Sequence, residues 1–278
     1  MHRFFAQTIP PAGETGRLDP DESRHAYRVL RVREGELIDV LDGCGVRAKG
    51  QITGLPGAPR RAIVEYWVAH REALPEPALR VRLFVAPPRP KAMALIVQQA
   101  TELGVLRITP VQCEFGVSRP VKRSSMDHWR NEAISALKQS GNPHVPTLDR
   151  LLDFGEAVEH CRGLVGAFGE RPDQCYGRPS LPREGDVALW IGPEGGFSAE
   201  EREKLAAARM VPVSVGEHVL RVETAVAAVT GWLMGRARGS TASPPSERRP
   251  TAVGGSEEPS PPHSQLRPEP ENPEQAAP

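Results

Sequence analysis

An α/β fold is the class this sequence predicts, built as a small N-terminal β-barrel followed by a larger strand–helix layer. Three observations carry it. Up to about residue 70 the apolar segments are short, alternate in character and are broken by Gly and Pro, the pattern of a small barrel. From 72 to 238 strand-like runs alternate with helix-like ones, which implies a largely parallel sheet covered by helices. From 239 to 278 the chain has ten prolines among Ser and Glu with almost no large apolar residues, too little to offset the entropy of ordering. The expected domains are therefore 1–70, 72–238 and a disordered tail at 239–278.

In chain order, "DESRHAYRVLRV" (21–32) predicts a short helix and "ELIDVLDG" (36–43) a strand. "RAKGQITGL" and "RAIVEYWVAH" predict two more strands. Gly43, Gly45 and Ala48 fit G-x-G-x-x-A after a strand, but that fingerprint needs a helix next, and "KGQITGLPG" is none; a hairpin turn is predicted. "LRVRLFVAPP" reads as a strand and "KAMALIVQQATELGV" as a helix ended by Gly104. "RITPVQCEF" is a strand, and "SSMDHWRNEAISALKQSG" a helix closed by Gly141. "GLVGAF", "DVALWIG" and "VPVSVG" supply further strands, with helices at 198–209 and about 221–234.

Composition narrows the function. The chain has 278 residues, enough for two ordinary domains, and its 39% hydrophobic content suits a normal core. No apolar run reaches the roughly 20 residues that span a bilayer, and the N-terminus carries no sustained apolar stretch, so a cytoplasmic protein is expected. Cys44, Cys113, Cys161 and Cys175 form no CxxC pair, and the eight histidines show no ligand spacing; reduced thiols and no metal are expected. A net charge of zero argues against coating nucleic acid by bulk electrostatics while leaving room for a local basic patch.

The chemistry-bearing stretch is "LWIGPEGGFSAEE" (189–201). Ser198 with Glu201 three residues on is a capping box, so a helix begins there. Gly192, Gly195 and Gly196 let a ligand approach the backbone. A nucleoside triphosphate would want GxxxxGK[ST], and no such lysine follows; Glu194 would repel phosphates. A dinucleotide would want GxGxxG, which is absent. A cationic or neutral ligand is compatible, as is a plain tight turn with an exposed carboxylate. "VSVGEHVLRVETAVAAVTGWL" (213–233) repeats the design of strand, glycine, loop and helix, with apolar positions 225, 226, 229, 232 and 233 on one helix face. Two such strand ends are expected to form one pocket.

"IGPEGGFSAEE" followed by "VSVG…LRVETA" resembles the SPOUT class of RNA methyltransferases, most of all the branch that methylates N3 of a uridine in 16S ribosomal RNA. "MHRFF", "SRHAYRVLRVREGELIDVLDG", "QQATELGV" and "KQSGNPHVP" extend the resemblance, in order, over most of residues 1 to 234. The resemblance implies a PUA-like barrel that helps bind RNA, a C-terminal α/β domain tied in a deep trefoil knot, and a homodimer whose active sites are completed across the interface. It also implies S-adenosylmethionine held largely by backbone groups, with Ile191, Gly192, Gly195 and Gly196 on one side, Val215, Gly216 and Leu220 on the other, and Thr224 and Ala225 at the helix start. A sulfonium is cationic, which Glu194 does not disfavour.

Methylation at N3 removes a proton, so a carboxylate and a cation are sought near the motif loops. The candidates are Glu194, Glu223 and, across the dimer, Glu102 as base, and Arg221 to stabilise anionic uridine or hold a phosphate. Glu102 and Glu223 read equally as capping or loop-orienting residues. Arg24, Arg28 and Arg31 fall at i, i+4 and i+7 of the predicted helix with Arg33 just beyond, a phosphate-contacting stripe or a solvated face balanced by Asp21 and Glu22. The chain departs from the family pattern at Gln99, at Glu114-Phe115-Gly116, at Asn142, at Val222 and at Arg89-Pro90-Lys91-Ala92. Two alternatives follow: a relative methylating another RNA site, or a noncatalytic RNA-binding protein.

Overall fold

The computed structural model describes residues 1–57, 62–116, 121–175 and 180–238; the segment expected to form a disordered tail lies outside the described residues. The first sheet is built from β1 (His2–Phe5), β2 (Thr15–Arg17), β3 (Leu37–Leu41), β4 (Val46–Gly54) and β5 (Glu65–Ala73), in the order β1-β3-β4-β5-β2. Only the β1–β3 pair is parallel. Alternate residues of β4 are buried, as period-2 geometry requires, and Phe4, Ile38, Val40, Ile52, Tyr66 and Val68 fill one core. Two register shifts in the β4–β5 pair, one with the extra residue on each strand, bend the pair around that core. The hydrogen-bonded path ends at β1 and β2, so the expected barrel is held by its core and not by a closing ladder between these strands.

The Gly43–Ala48 pattern is a hairpin, as expected. Asp42 Oδ1 accepts from Cys44 N at 2.7 Å and Val46 N at 2.9 Å, and Gly43 and Gly45 have φ of +75° and +99°, a conformation that favours glycine.

The helix predicted over 21–32 is a correction. α1 covers only Pro20–His25, and Ala26–Leu30 follow as a π-helical turn. Arg31 then turns left-handed at φ +54°, and Val32 N reaches back to Ala26 O at 3.2 Å. The wider turn lets both Ala26 and Val32 enter the core, 0% and 4% exposed. The i, i+4, i+7 arithmetic for Arg24, Arg28 and Arg31 therefore fails, because Arg31 is no longer helical.

The second sheet is wholly parallel. Its strands are β6 (Leu79–Val85), β7 (Arg107–Gln112), β8 (Thr147–Leu148), β9 (Leu152–Asp153), β10 (Val165–Gly169), β11 (Gly185–Ile191) and β12 (Met210–Val213), in the order β12-β10-β11-β6-β7-β8, with β9 also on β7. Helices α2 (Pro90–Glu102), α3 (Arg123–Ser140) and α6 (Val222–Arg238) bring side chains to one core. Helices α4 (Phe154–His160) and α5 (Ala199–Ala207) contribute to another. Strand residues divide by parity: Val187, Leu189 and Ile191 of β11 enter the first core, Ala188 and Trp190 the second. Trp190 stacks on Phe84 with centroids 4.4 Å apart. Gly104 and Gly141 end α2 and α3 at φ +84° and +78°, the left-handed stop their position predicts.

The first sheet is fastened to α3. Arg3 Nη1 donates to Gln139 O at 2.7 Å and to Lys138 O at 3.2 Å, the C-terminal carbonyls of that helix. Phe5, Leu41 and Leu137 pack together beneath.

Candidate functional site

Ligands on parallel sheets bind beyond the carboxyl ends of the strands, and here three neighbouring ends meet. β10 lies between β11 and β12, and the loops that follow all three line one pocket. Ile191, Gly192, Gly195, Gly196, Val215, Leu220 and Ala225 are all on its walls. Gly216 and Thr224 are not among the wall residues and are exposed. Gly216 matters through its φ of +91°, with nothing within 4 Å of an added Cβ. The sequence predicts two strand ends here, and the structure adds a third, Gly169-Glu170-Arg171. Gly169 pairs with Val213 in register, and an added Cβ would stand 2.9 Å from Ile191 Cδ1; its signal was the glycine ending "GLVGAFG".

The turn after β11 is tightly made. Gly196 N donates to Pro193 O at 2.8 Å, and Gly196 has φ +75°. The predicted capping box is present: Glu201 N donates to Ser198 Oγ at 3.3 Å and Ser198 N to Glu201 Oε2 at 2.9 Å. The other carboxylate oxygen of Glu201 accepts from Glu114 N at 2.8 Å, tying the start of α5 to the turn after β7. Gly192 faces the Phe197 ring at 3.1 Å and Gly195 faces Phe115 Cβ at 2.9 Å, both measured to an ideal Cβ. These glycines are therefore required first by protein packing, not only by a ligand's approach. The adjoining Cys113 is buried, and burial, then the charge of Glu201, pushes its thiol pKa up, away from the thiolate.

A second, wider cavity of about 940 Å³ opens beside this pocket. The starts of α2 and α6 and the middle of α3 line it, with Arg89, Lys91 and His128 among its polar groups. Glu194, Arg221 and Glu223 all face it, and Glu194 is shared with the first pocket. Arg221 O accepts the first helical bond of α6 from Ala225 N at 2.8 Å, so its guanidinium sits at a helix N-terminus, where a cation is disfavoured. Among the described residues, no carboxylate pairs with Arg221 within 4.0 Å. Glu102 lines neither cavity of this chain and is exposed near the far end of α2. Of the barrel arginines, Arg24 pairs with Asp21 at 3.1 Å, while Arg28, Arg31 and Arg33 are exposed.

Residues 75–234 match the model of the RNA methyltransferase domain, and residues 18–58 that of the RNA methyltransferase PUA domain. The chain is 28% identical over 238 residues to ribosomal RNA small subunit methyltransferase E of Mycobacterium tuberculosis, covering 82% of this chain and 89% of that protein. It is 26% identical over 248 residues to the protein of the same name from Bacillus subtilis, covering 81% and 93%. The crystal structure of ribosomal RNA small subunit methyltransferase E from Neisseria gonorrhoeae, bound to S-adenosyl methionine, superposes with a TM-score of 0.74 at 28% identity, covering 84% of this chain and 97% of that one.

Proposed function

The chain belongs to the RNA methyltransferase family whose domain model spans residues 75–234, and from that premise we propose that it methylates N3 of a uridine in the RNA of the small ribosomal subunit. S-adenosylmethionine is the methyl donor. The observation that carries the reading is the pocket of three strand-end loops opening, through Glu194, onto a wide cavity that holds Arg221 and Glu223.

The pocket suits the donor chemically. Ile191, Leu220, Ala225 and Val229 give it apolar walls, the glycine turn brings backbone close, and Glu194 stands on it where a phosphate ligand would be repelled, while Glu170 is already paired with Arg202. S-adenosylmethionine supplies a methyl group activated by a sulfonium. The chain's own part is alignment, worth roughly 7–11 kcal/mol when reacting groups are well oriented, and management of the N3 proton. Glu194 or Glu223 accepts that proton, and Arg221 stabilises the negative charge that the uracil ring gathers.

The deep trefoil knot, the homodimer and the cytoplasmic setting belong to the same reading. Glu102 enters only as a residue given to the partner's site, and light scattering at micromolar concentration should return a dimer. On the PUA domain, replacing Arg24, Arg28 and Arg31 together should weaken RNA binding and flatten its logarithmic salt dependence by about two. An unchanged slope would remove these arginines from the interface.

The direct test is transfer from labelled S-adenosylmethionine to unmethylated ribosomal RNA and to assembled small subunits, with nucleoside analysis. Labelled 3-methyluridine is the expected product. Cofactor binding without transfer to either substrate would favour the noncatalytic RNA-binding alternative, and a different labelled nucleoside the alternative of another site.

A further inference from the structure

Phe115 is 54% exposed, and a single exposed hydrophobe has no meaning by itself. Its setting is what counts. The amide of Glu114, one residue before, donates at 2.8 Å to Glu201 Oε1, and Glu201 is 6% exposed and held by Ser198 N. One residue after, Gly116 N closes a turn on Cys113 O at 3.0 Å. The chain on both sides of Phe115 is thus pinned, and its Cβ lies against Gly195. Gly195 lines the cofactor pocket, and its neighbour Glu194 belongs to both cavities. A half-exposed phenyl ring therefore stands against the turn that the two cavities share, while lining neither of them. The adjoining cavity presents Arg89, Lys91 and Arg221, cations suited to the backbone of a strand whose bases are flat and apolar on their faces.

We propose that Phe115 is a stacking platform for a nucleobase of the RNA strand that carries the target uridine. This rests on the RNA methyltransferase reading and assigns it a substrate-contacting residue. Stacking tolerates any base, so Phe115 contributes affinity and placement, and leaves discrimination to polar groups.

Full-length Phe115→Ala and Phe115→Trp variants test it, with calorimetry for S-adenosylmethionine and anisotropy for a short uridine-containing single strand. Phe115→Ala should weaken RNA binding by about tenfold, raise the KM for RNA, and leave cofactor affinity and dimerisation unchanged. Phe115→Trp should retain affinity, and the added indole's emission, after subtraction of the wild-type signal, should be quenched by the oligonucleotide. Unchanged RNA affinity in Phe115→Ala would overturn the proposal. So would loss of cofactor binding or dissociation into monomers, which would make Phe115 a packing or interface residue. If the wild type methylates no RNA, the functional reading fails by that result, while indole quenching still decides stacking separately.

Discussion

Arg221→Ala is expected to lower the rate of methyl transfer by about a hundredfold or more, the size of losing one donor aimed at developing charge. Binding of S-adenosylmethionine should be nearly unchanged, because the wide cavity includes Arg221 and the walls of the pocket proposed for the donor do not. The position argues for a working role. A cation at the first turn of α6 opposes the helix dipole, and Glu223, two residues on, is the acidic residue that suits it. Arg221→Lys should recover only part of the rate, since an ammonium cannot make the paired contacts of a guanidinium. Single-turnover rates at saturating RNA check this directly. An effect confined to the KM for RNA would make Arg221 a phosphate contact instead.

Gly166→Ala should be the most damaging small substitution in the second domain. Gly166 sits in β10 between Ala188 of β11 and Met210 of β12. A Cβ there would lie 2.0 Å from Ala188 O and 2.8 Å from Met210 Sδ. The oxygen belongs to a paired backbone and cannot swing aside, so the sheet must part. The expected loss is about 4 kcal/mol or more, in the range reserved for core disruption, measured as the urea midpoint or as failure to recover soluble protein. Gly163→Ala is the control for glycine content in the same region: it has open space around it but φ +85°, so only the milder strain of a left-handed residue applies.

Much of the site was legible before the structure. The capping box at Ser198 and Glu201 needs only local chemistry, and it forms as written. The turn glycines announce backbone that other residues avoid, and Gly192, Gly195 and Gly196 all reach the pocket. The helix stops at Gly104 and Gly141 were readable for the same reason. What failed was information spread over distance or over too few residues. β8 and β9 are two residues each, and two residues have no period to detect. α4 starts Phe-Gly, a weak helix beginning. The helical spacing of the three arginines did not hold because it assumes 3.6 residues per turn, whereas the chain widens its turn after His25 to bury Ala26 and Val32.

The sequence by itself determined the order of the longer strands and helices, the parallel character of the second sheet, and the glycine loops that line the pocket. Each follows from local periodicity, turn chemistry or helix capping, which act within a few residues. Tertiary structure alone decided that β10 inserts between β11 and β12, so that Gly169 joins the pocket. It also decided that Glu194, Arg221 and Glu223 share one cavity while Glu102 stays outside it, and that Phe115 stands over Gly195. Those juxtapositions join residues tens of positions apart, and they are set by which strands pair and which faces must be buried together.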